Sequence, residues 1–343
     1  MNILNKKHFS IYLIILFIFS VFYLYQKHSV GNDSTISEWL INYQGGFTKR
    51  GLIGQIAIYL SYLIDIKLRL SILIFQITVI AIYYLLLNNF VSDLKFNNLI
   101  IFSIFTPIFI LYPIAEIEVL ARKETFLYCF FLLYLLLDNE THKNIYKLTI
   151  LPLAILVWEP VIFFFPFWFI IDFFEHNKRN IIKNLFNIII FYLPAIFLAF
   201  FIAFNPISSE GHKEMASFLK NEFNEACYMS CELLLHKSKI TQQFTAVFDL
   251  FTFERIIRYF LVLLVGFGPL IILIKHSKFK KLNAKIISFF VSLPIIVLFL
   301  MMTDWGRVVN MYYTFSILTF LYLFKKNYLK LNQLYKQNFF VKL

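Results

Sequence analysis

Apolar runs of bilayer-spanning scale recur along nearly the whole chain, at 11–25, 70–91, 98–114, 185–205, 253–274, 286–302 and 310–325. A hydrocarbon core of about 30 Å takes roughly 20 helical residues to cross, and it offers no water to backbone N–H and C=O groups. The runs therefore predict an all-α, polytopic membrane bundle in which each helix satisfies its own backbone. A mean hydropathy of +0.72 and only 15% charged residues exclude a soluble globular domain. They also exclude disorder, which needs low hydrophobicity. The chain reads as a single membrane domain, 1–343.

The net charge of +12 has a simple source. Lys275, Lys278, Lys280, Lys281 and Lys285 form one basic run, and Lys325, Lys326, Lys330, Lys336 and Lys342 form another. Both are expected as cytoplasmic anchors facing anionic membrane lipids. No soluble module is present to carry nucleic acid, so none is expected as a partner. Cys129 lies in an apolar run and reads as a small core hydrophobe. Cys227 and Cys231 share a hydrophilic loop; a disulfide suits an extracytoplasmic loop, but their spacing fits one poorly if the stretch is helical. With His236 they give too few ligands for a metal, and no cofactor is expected.

Positive charge sets the threading. Lys6-Lys7, Lys178-Arg179-Lys183, the run 275–285 and the tail 326–343 are expected inside, leaving loops 27–50 and 206–252 outside. The first run follows Lys6-Lys7, and no small-residue cleavage site comes after it, so it is expected as a retained helix. Counting 51–64 as a span would return THKNIYK (141–147) to the wrong side. That segment is short, and Gly51, Gly54, Gln55 and Ser61 recur at helical spacing, so it reads as an interfacial or re-entrant helix. The stretch 147–174 is then a hairpin bending at Trp158-Glu159-Pro160, because proline breaks the helix there. The expectation is about ten transmembrane helices plus one interfacial helix, with both termini cytoplasmic.

Four charged clusters sit against these apolar runs, and all fall on the extracytoplasmic side of this threading. Charge at membrane depth costs a few kcal/mol per group on insertion scales, so each is a candidate site. In GGFTKRG, Lys49 and Arg50 are either snorkelling boundary cations or, beside Gly45-Gly46, an anion site. In EIEVLARKE, Glu118 and Arg122 could form an ordinary helix pair, while Arg122 and Lys123 point apart and could contact a substrate; Glu116 follows Pro113 where a helix could break. Glu159 is either a helix cap or a general base whose pKa is raised by apolar surroundings. In TDWGRVV, Asp304 and Arg307 either neutralise each other or contact substrate, with Trp305 as a stacking face and Gly306 allowing close approach. No Walker A loop, GxSxG elbow, HExxH or paired CxxC is present, which argues against an ATP-driven pump, a serine hydrolase or a zinc enzyme.

An outward GGFTKRG after the first helix, a charged ARKE, a WEP hairpin and an outward DWGR together resemble O-antigen or oligosaccharide repeat-unit polymerases of the Wzy type. Those are similar in layout to glycosyltransferases of the C superfamily. The resemblance spans most of 30–310 through short motifs, and this chain is somewhat short for it. It implies a bacterial inner-membrane enzyme of surface polysaccharide synthesis. Its substrate would be a polyprenyl-pyrophosphate-linked oligosaccharide on the periplasmic face, with a chain-length regulator protein as partner. Lys49, Arg50, Arg122, Lys123 and Arg307 would then hold pyrophosphate or glycan, with Trp305 against sugar. Glu159 or Asp304, with Glu116 behind them, would take the acceptor proton.

Two other classes compete. A lipid-linked oligosaccharide flippase or other transporter would be wetted from both sides, whereas these clusters share one face, and no internal repeat is evident. A membrane acyltransferase would need a reactive histidine in an apolar run, and His8, His28, His142, His176, His212, His236 and His276 read as terminal or loop residues.

Overall fold

The computed structural model describes residues 6–31, 34–92, 94, 98–176, 181–234, 248–249, 252–280 and 283–331. His236 and the basic residues Lys178, Arg179, Lys281, Lys336 and Lys342 lie outside them. The described chain is helical, apart from a short ribbon pairing β1 (Ser277–Phe279) with β2 (Leu329–Leu331). Among the described residues, five helices are long and apolar enough to cross a membrane: α1 (Lys6–Val30), α4 (Leu68–Val91), the broken helix Asn98–Ala115, α13 (Phe253–Lys275) and α14 (Ala284–Met301). Large apolar side chains such as Ile18, Phe22, Phe260, Phe289 and Leu293 face outward from them. An apolar exterior of this kind suits a hydrocarbon solvent and a multi-pass membrane protein.

Side-chain contacts define two faces of the bundle. Ser10 near the start of α1 bonds Asn88 near the end of α4, and Arg69 at the start of α4 bonds the carbonyl of Gly31 just past α1. The two helices are therefore antiparallel. Helix α3 (Gly51–Ile64) lies between them in sequence and folds back on α4, with Ser71 donating to the Ala57 carbonyl. Its last turn leads into α4 at the face where α1 finishes, and at 14 residues it is shorter than the five long apolar helices. Its small and polar residues Gly51, Gly54, Gln55 and Ser61 are buried, while Tyr59, Leu63 and Ile64 face outward. A Cβ on Gly54 would lie 2.0 Å from the Ile41 carbonyl oxygen, so only glycine allows this close approach.

The third pass is broken. Pro107 pushes Thr106 into extended backbone after α5 (Asn98–Ile104), and a π-helical turn then leads into α6 (Tyr112–Ala115). Helix α7 (Glu124–Leu136) returns, and α8 (Glu140–Val157) with α9 (Phe165–Glu175) forms a hairpin whose tip is Trp158-Glu159-Pro160. Two ion pairs clamp the base of this hairpin, Lys143 to Glu175 at 2.5 Å and Lys147 to Asp172 at 2.9 Å. Lys143 and Lys147 were expected in a cytoplasmic loop; they are instead buried helix residues held by acids of the opposite arm.

After α10 (Ile181–Ile190) and α11 (Leu193–Phe204) the chain turns by 95° into α12 (Ser209–Phe223). That helix lies across the face where α1 finishes, with Glu225 bridging Arg69 and Gly211 against Gly45. The disulfide Cys227–Cys231 closes the following loop, which is not helical at that point. Helix α15 (Trp305–Lys325) begins at this face, capped by Asp304, and ends at the other, where Lys326 pairs with Asp138. The β1–β2 ribbon ties the segment after α13 to the segment after α15, so Lys278 and Lys330 share the second face.

Candidate functional site

Four stretches remote in sequence meet at the face opposite the basic runs. Trp39, at the end of α2 (Ser34–Trp39), fixes one of them: its ring lies between Phe75 and Phe126, and its indole donates to the Ala121 carbonyl at 3.1 Å. That anchor buries the neighbouring Glu38. Glu38 receives Arg122 at 3.2 Å and Arg50 at 3.5 Å. Arg50 also forms a bidentate fork on Glu159, with both N–H···O distances at 2.8 Å. Asp304 lies 3.6 Å from Arg307 and 3.8 Å from Arg122 in ion pairs, and Arg307 also pairs with buried Glu124. Lys49 approaches Glu159 at 3.8 Å, and Lys123 donates to the Arg50 carbonyl at 2.5 Å.

The network is graded in depth. Lys49 and Asp304 side chains are 45% and 43% exposed, Arg50 and Glu159 are 22% and 21%, and Glu38, Arg122, Lys123, Glu124 and Arg307 are buried. It is also incompletely satisfied. Glu124 Oε2, Arg307 Nε and Thr48 Oγ1 are buried without a hydrogen-bond partner among the described residues, and Glu38 Oε1 has the Arg50 ion pair but no hydrogen bond. Such atoms are few in native structures and each asks for an explanation. Two non-glycine residues flanking the network, Arg50 (φ 64°) and Ala121 (φ 55°), hold left-handed backbone. Strain of this kind, about 1–3 kcal/mol per residue, concentrates at functional sites.

Electrostatics follow from this geometry. Burial pushes the Glu38 carboxyl up, but Arg122, Arg307, Arg50 and Lys123 outweigh it and hold it well below the usual carboxylate range. Burial also pushes Glu159 up, and the Arg50 fork and Lys49 outweigh that, so its pKa is lowered. The raised pKa expected for Glu159 as a base is therefore not what this environment provides. Burial brings the Lys123 ammonium down to about 7, with Glu38 opposing the shift and Arg50 adding to it.

The structure joins Lys49, Arg50, Arg122, Lys123, Glu159, Asp304 and Arg307 in one network. Other expected features differ. Glu116 is exposed and makes no ion pair among the described residues, and no Glu118–Arg122 helix pair forms because the 3-10 turn Ile117–Val119 ends before Arg122. Trp305 presents no open stacking face: it is buried, donates to the Phe299 carbonyl, and meets Tyr259 and the Arg255 guanidinium. Gly306 lies against the Tyr112 hydroxyl, where a Cβ would be 2.1 Å away. The Gly46 N–H closes a turn onto Tyr43, and Gly45 abuts Gly211. His8, His28, His142 and His212 lie in helices, not loops, and His212 is buried beside the disulfide.

Sequence reasoning passed over Glu38, the acid that gathers two of the arginines. The available signal was an acid inside the otherwise apolar and small-residue stretch TISEWLI. No protein-family model matches the chain, and no curated protein or solved structure matches it either.

Proposed function

We propose that the chain is a membrane glycosyltransferase that joins polyprenyl-pyrophosphate-linked oligosaccharide units at the periplasmic face of a bacterial inner membrane. In this reading the passes number ten, counting α1, α4, the broken third pass, α7, α8, α9, α10–α11, α13, α14 and α15. Both termini are cytoplasmic, the basic face is inside, and α3 and α12 lie at the outer surface.

The observation that carries the proposal is the convergence of Arg50, Arg122, Lys123 and Arg307 from separate elements into one graded network with unfilled bonding atoms. A pyrophosphate leaving group needs such cations where charge develops. Arriving at Arg50, it would replace Glu159 in the bidentate fork. Glu159, relieved of Arg50, then regains the raised pKa that burial favours and accepts the acceptor hydroxyl proton. The hydroxyl oxygen bonds the donor anomeric carbon, the bond to pyrophosphate breaks, and lipid pyrophosphate leaves with the electron pair. Asp304 is the second base candidate, and Glu116 stands at the rim. An inverting displacement and a chain-length regulator partner belong to the same proposal.

Gene deletion with gel analysis of surface glycan tests it. Loss of the long-chain ladder with a single repeat unit retained supports a polymerase. Complete loss of surface glycan with lipid-linked units stranded inside supports a flippase and overturns the proposal.

A further inference from the structure

A second feature lies at the basic face, away from the charged network. Between α13, α14 and α15 a slot of about 280 Å³ opens, walled by Phe267, Leu270, Ile287, Val291 and Phe320. This is nearly twice the roughly 150 Å³ cavity that accepts a benzene ring. Phe279 and Ser288 line both the slot and a wider vestibule of about 780 Å³ at the basic face. Four lysines line the vestibule: Lys275, Lys278, Lys280 and Lys285. None of them has an acidic partner among the described residues. Beyond Glu254 the sequence holds one acid, Asp304, and it sits in the network at the opposite face.

Inside the slot, Thr319 supplies an independent clue. Its hydroxyl is buried and has no hydrogen-bond partner among the described residues. Thr319 precedes Phe320, whose ring meets Phe279, the residue between Lys278 and Lys280. The zoning therefore runs from cations to an apolar slot that holds one unpartnered donor. Basic pockets between transmembrane helices bind anionic lipid headgroups.

We infer that this is a specific site for an anionic glycerophospholipid. Its phosphodiester sits among the four lysines, a glycerol ester carbonyl accepts from Thr319, and an acyl chain fills the slot. A polyprenyl phosphate shares the charge and the hydrocarbon but has no ester carbonyl for Thr319, which favours the phospholipid. The site rests on membrane placement alone and is independent of the chemistry proposed at the other face.

Native mass spectrometry of the delipidated full chain, titrated with phosphatidylglycerol, phosphatidylcholine and a polyprenyl monophosphate, tests the assignment. Phosphatidylglycerol should bind tightest at one per chain. Lys278→Gln with Lys280→Gln should weaken it by at least about tenfold, and Thr319→Val by about threefold. Lys6→Gln with Lys7→Gln, at the same face but away from the pocket, should leave it unchanged. Equal binding of phosphatidylcholine overturns the site, as does a vestibule variant no weaker than the Lys6/Lys7 control. Tighter binding of polyprenyl phosphate, insensitive to Thr319→Val, overturns the phospholipid as occupant. The glycan ladder is read separately, so failure here is distinguishable from failure of the polymerase proposal.

Discussion

The α8–α9 hairpin carries a charged cluster at each end, and the two are built differently. At the base, Asp172 accepts from Lys147, Tyr134 and Tyr192, and Lys143 donates to Glu175 and the Tyr322 hydroxyl. None of these side chains leaves a buried polar atom without a partner. At the tip, Glu159 belongs to a network with open bonding atoms, left-handed backbone at Arg50 and Ala121, and a rim that reaches solvent. A satisfied network rigidifies; one with vacancies and strain holds capacity for a ligand. The base is a clamp, and the tip is the candidate site.

The sharpest way to break this contrast is at the clamp. Asp172→Leu leaves Lys147 buried and unpaired, which should cost about 3–5 kcal/mol of stability. Thermal unfolding in detergent, followed by size exclusion, should show the loss, and adding Lys147→Met should restore most of it. A harmless single variant would remove the structural reading of the base. At the tip the balance should reverse. Arg50→Ala, Arg122→Ala and Arg307→Ala should each lower glycan chain extension about 100-fold or more at normal expression. The melting shift of Arg50→Ala, whose fork partner Glu159 is 21% exposed, should stay smaller than that of Asp172→Leu. Silence of all three would sink the site.

A finer test uses pH. The folded Lys123 pKa of about 7 lies below its ordinary 10.5, so between these values the unfolded chain holds a proton that the folded one has released. Stability should therefore rise with pH across that window, and the gain should vanish as pH falls through 7. Lys123→Met should flatten this slope in pH-dependent melting curves. The smallest effect is expected from Trp305→Phe, which keeps an aromatic ring against Tyr259 and Arg255. Ladder length should change by less than about threefold, the scale of one modest hydrogen bond; a large loss would return Trp305 to sugar contact.

Much of the layout was legible in the sequence because bilayer physics leaves few choices. The short length and small-residue face of 51–64 marked a short helix with its glycines buried, and Pro160 marked the hairpin tip. Charge bias placed the four clusters on one face, which the ion pairs now join. What escaped depends on partners distant in sequence. Lys143 and Lys147 looked like loop anchors because their acids lie 32 and 25 residues away on the other arm. Glu38 was overlooked because a lone acid beside a tryptophan carries no spacing pattern. Glu159 was expected to have a raised pKa because the Arg50 fork reaches it from 109 residues away. The Tyr112, Tyr259 and Arg255 side chains around Trp305 and Gly306 likewise come from α6 and α13, remote in sequence.

The convergence of these segments on one face, and the outward side proposed for it, can be measured by labelling single cysteines in a Cys129→Ala background with a membrane-impermeant thiol reagent. In intact spheroplasts, Lys49→Cys, Glu116→Cys and Asp304→Cys should all react, while Lys278→Cys and Lys326→Cys should react only after permeabilisation. Labelling of Lys49→Cys and Asp304→Cys from opposite sides would contradict a single network, and labelling of both only after permeabilisation would place it on the cytoplasmic face.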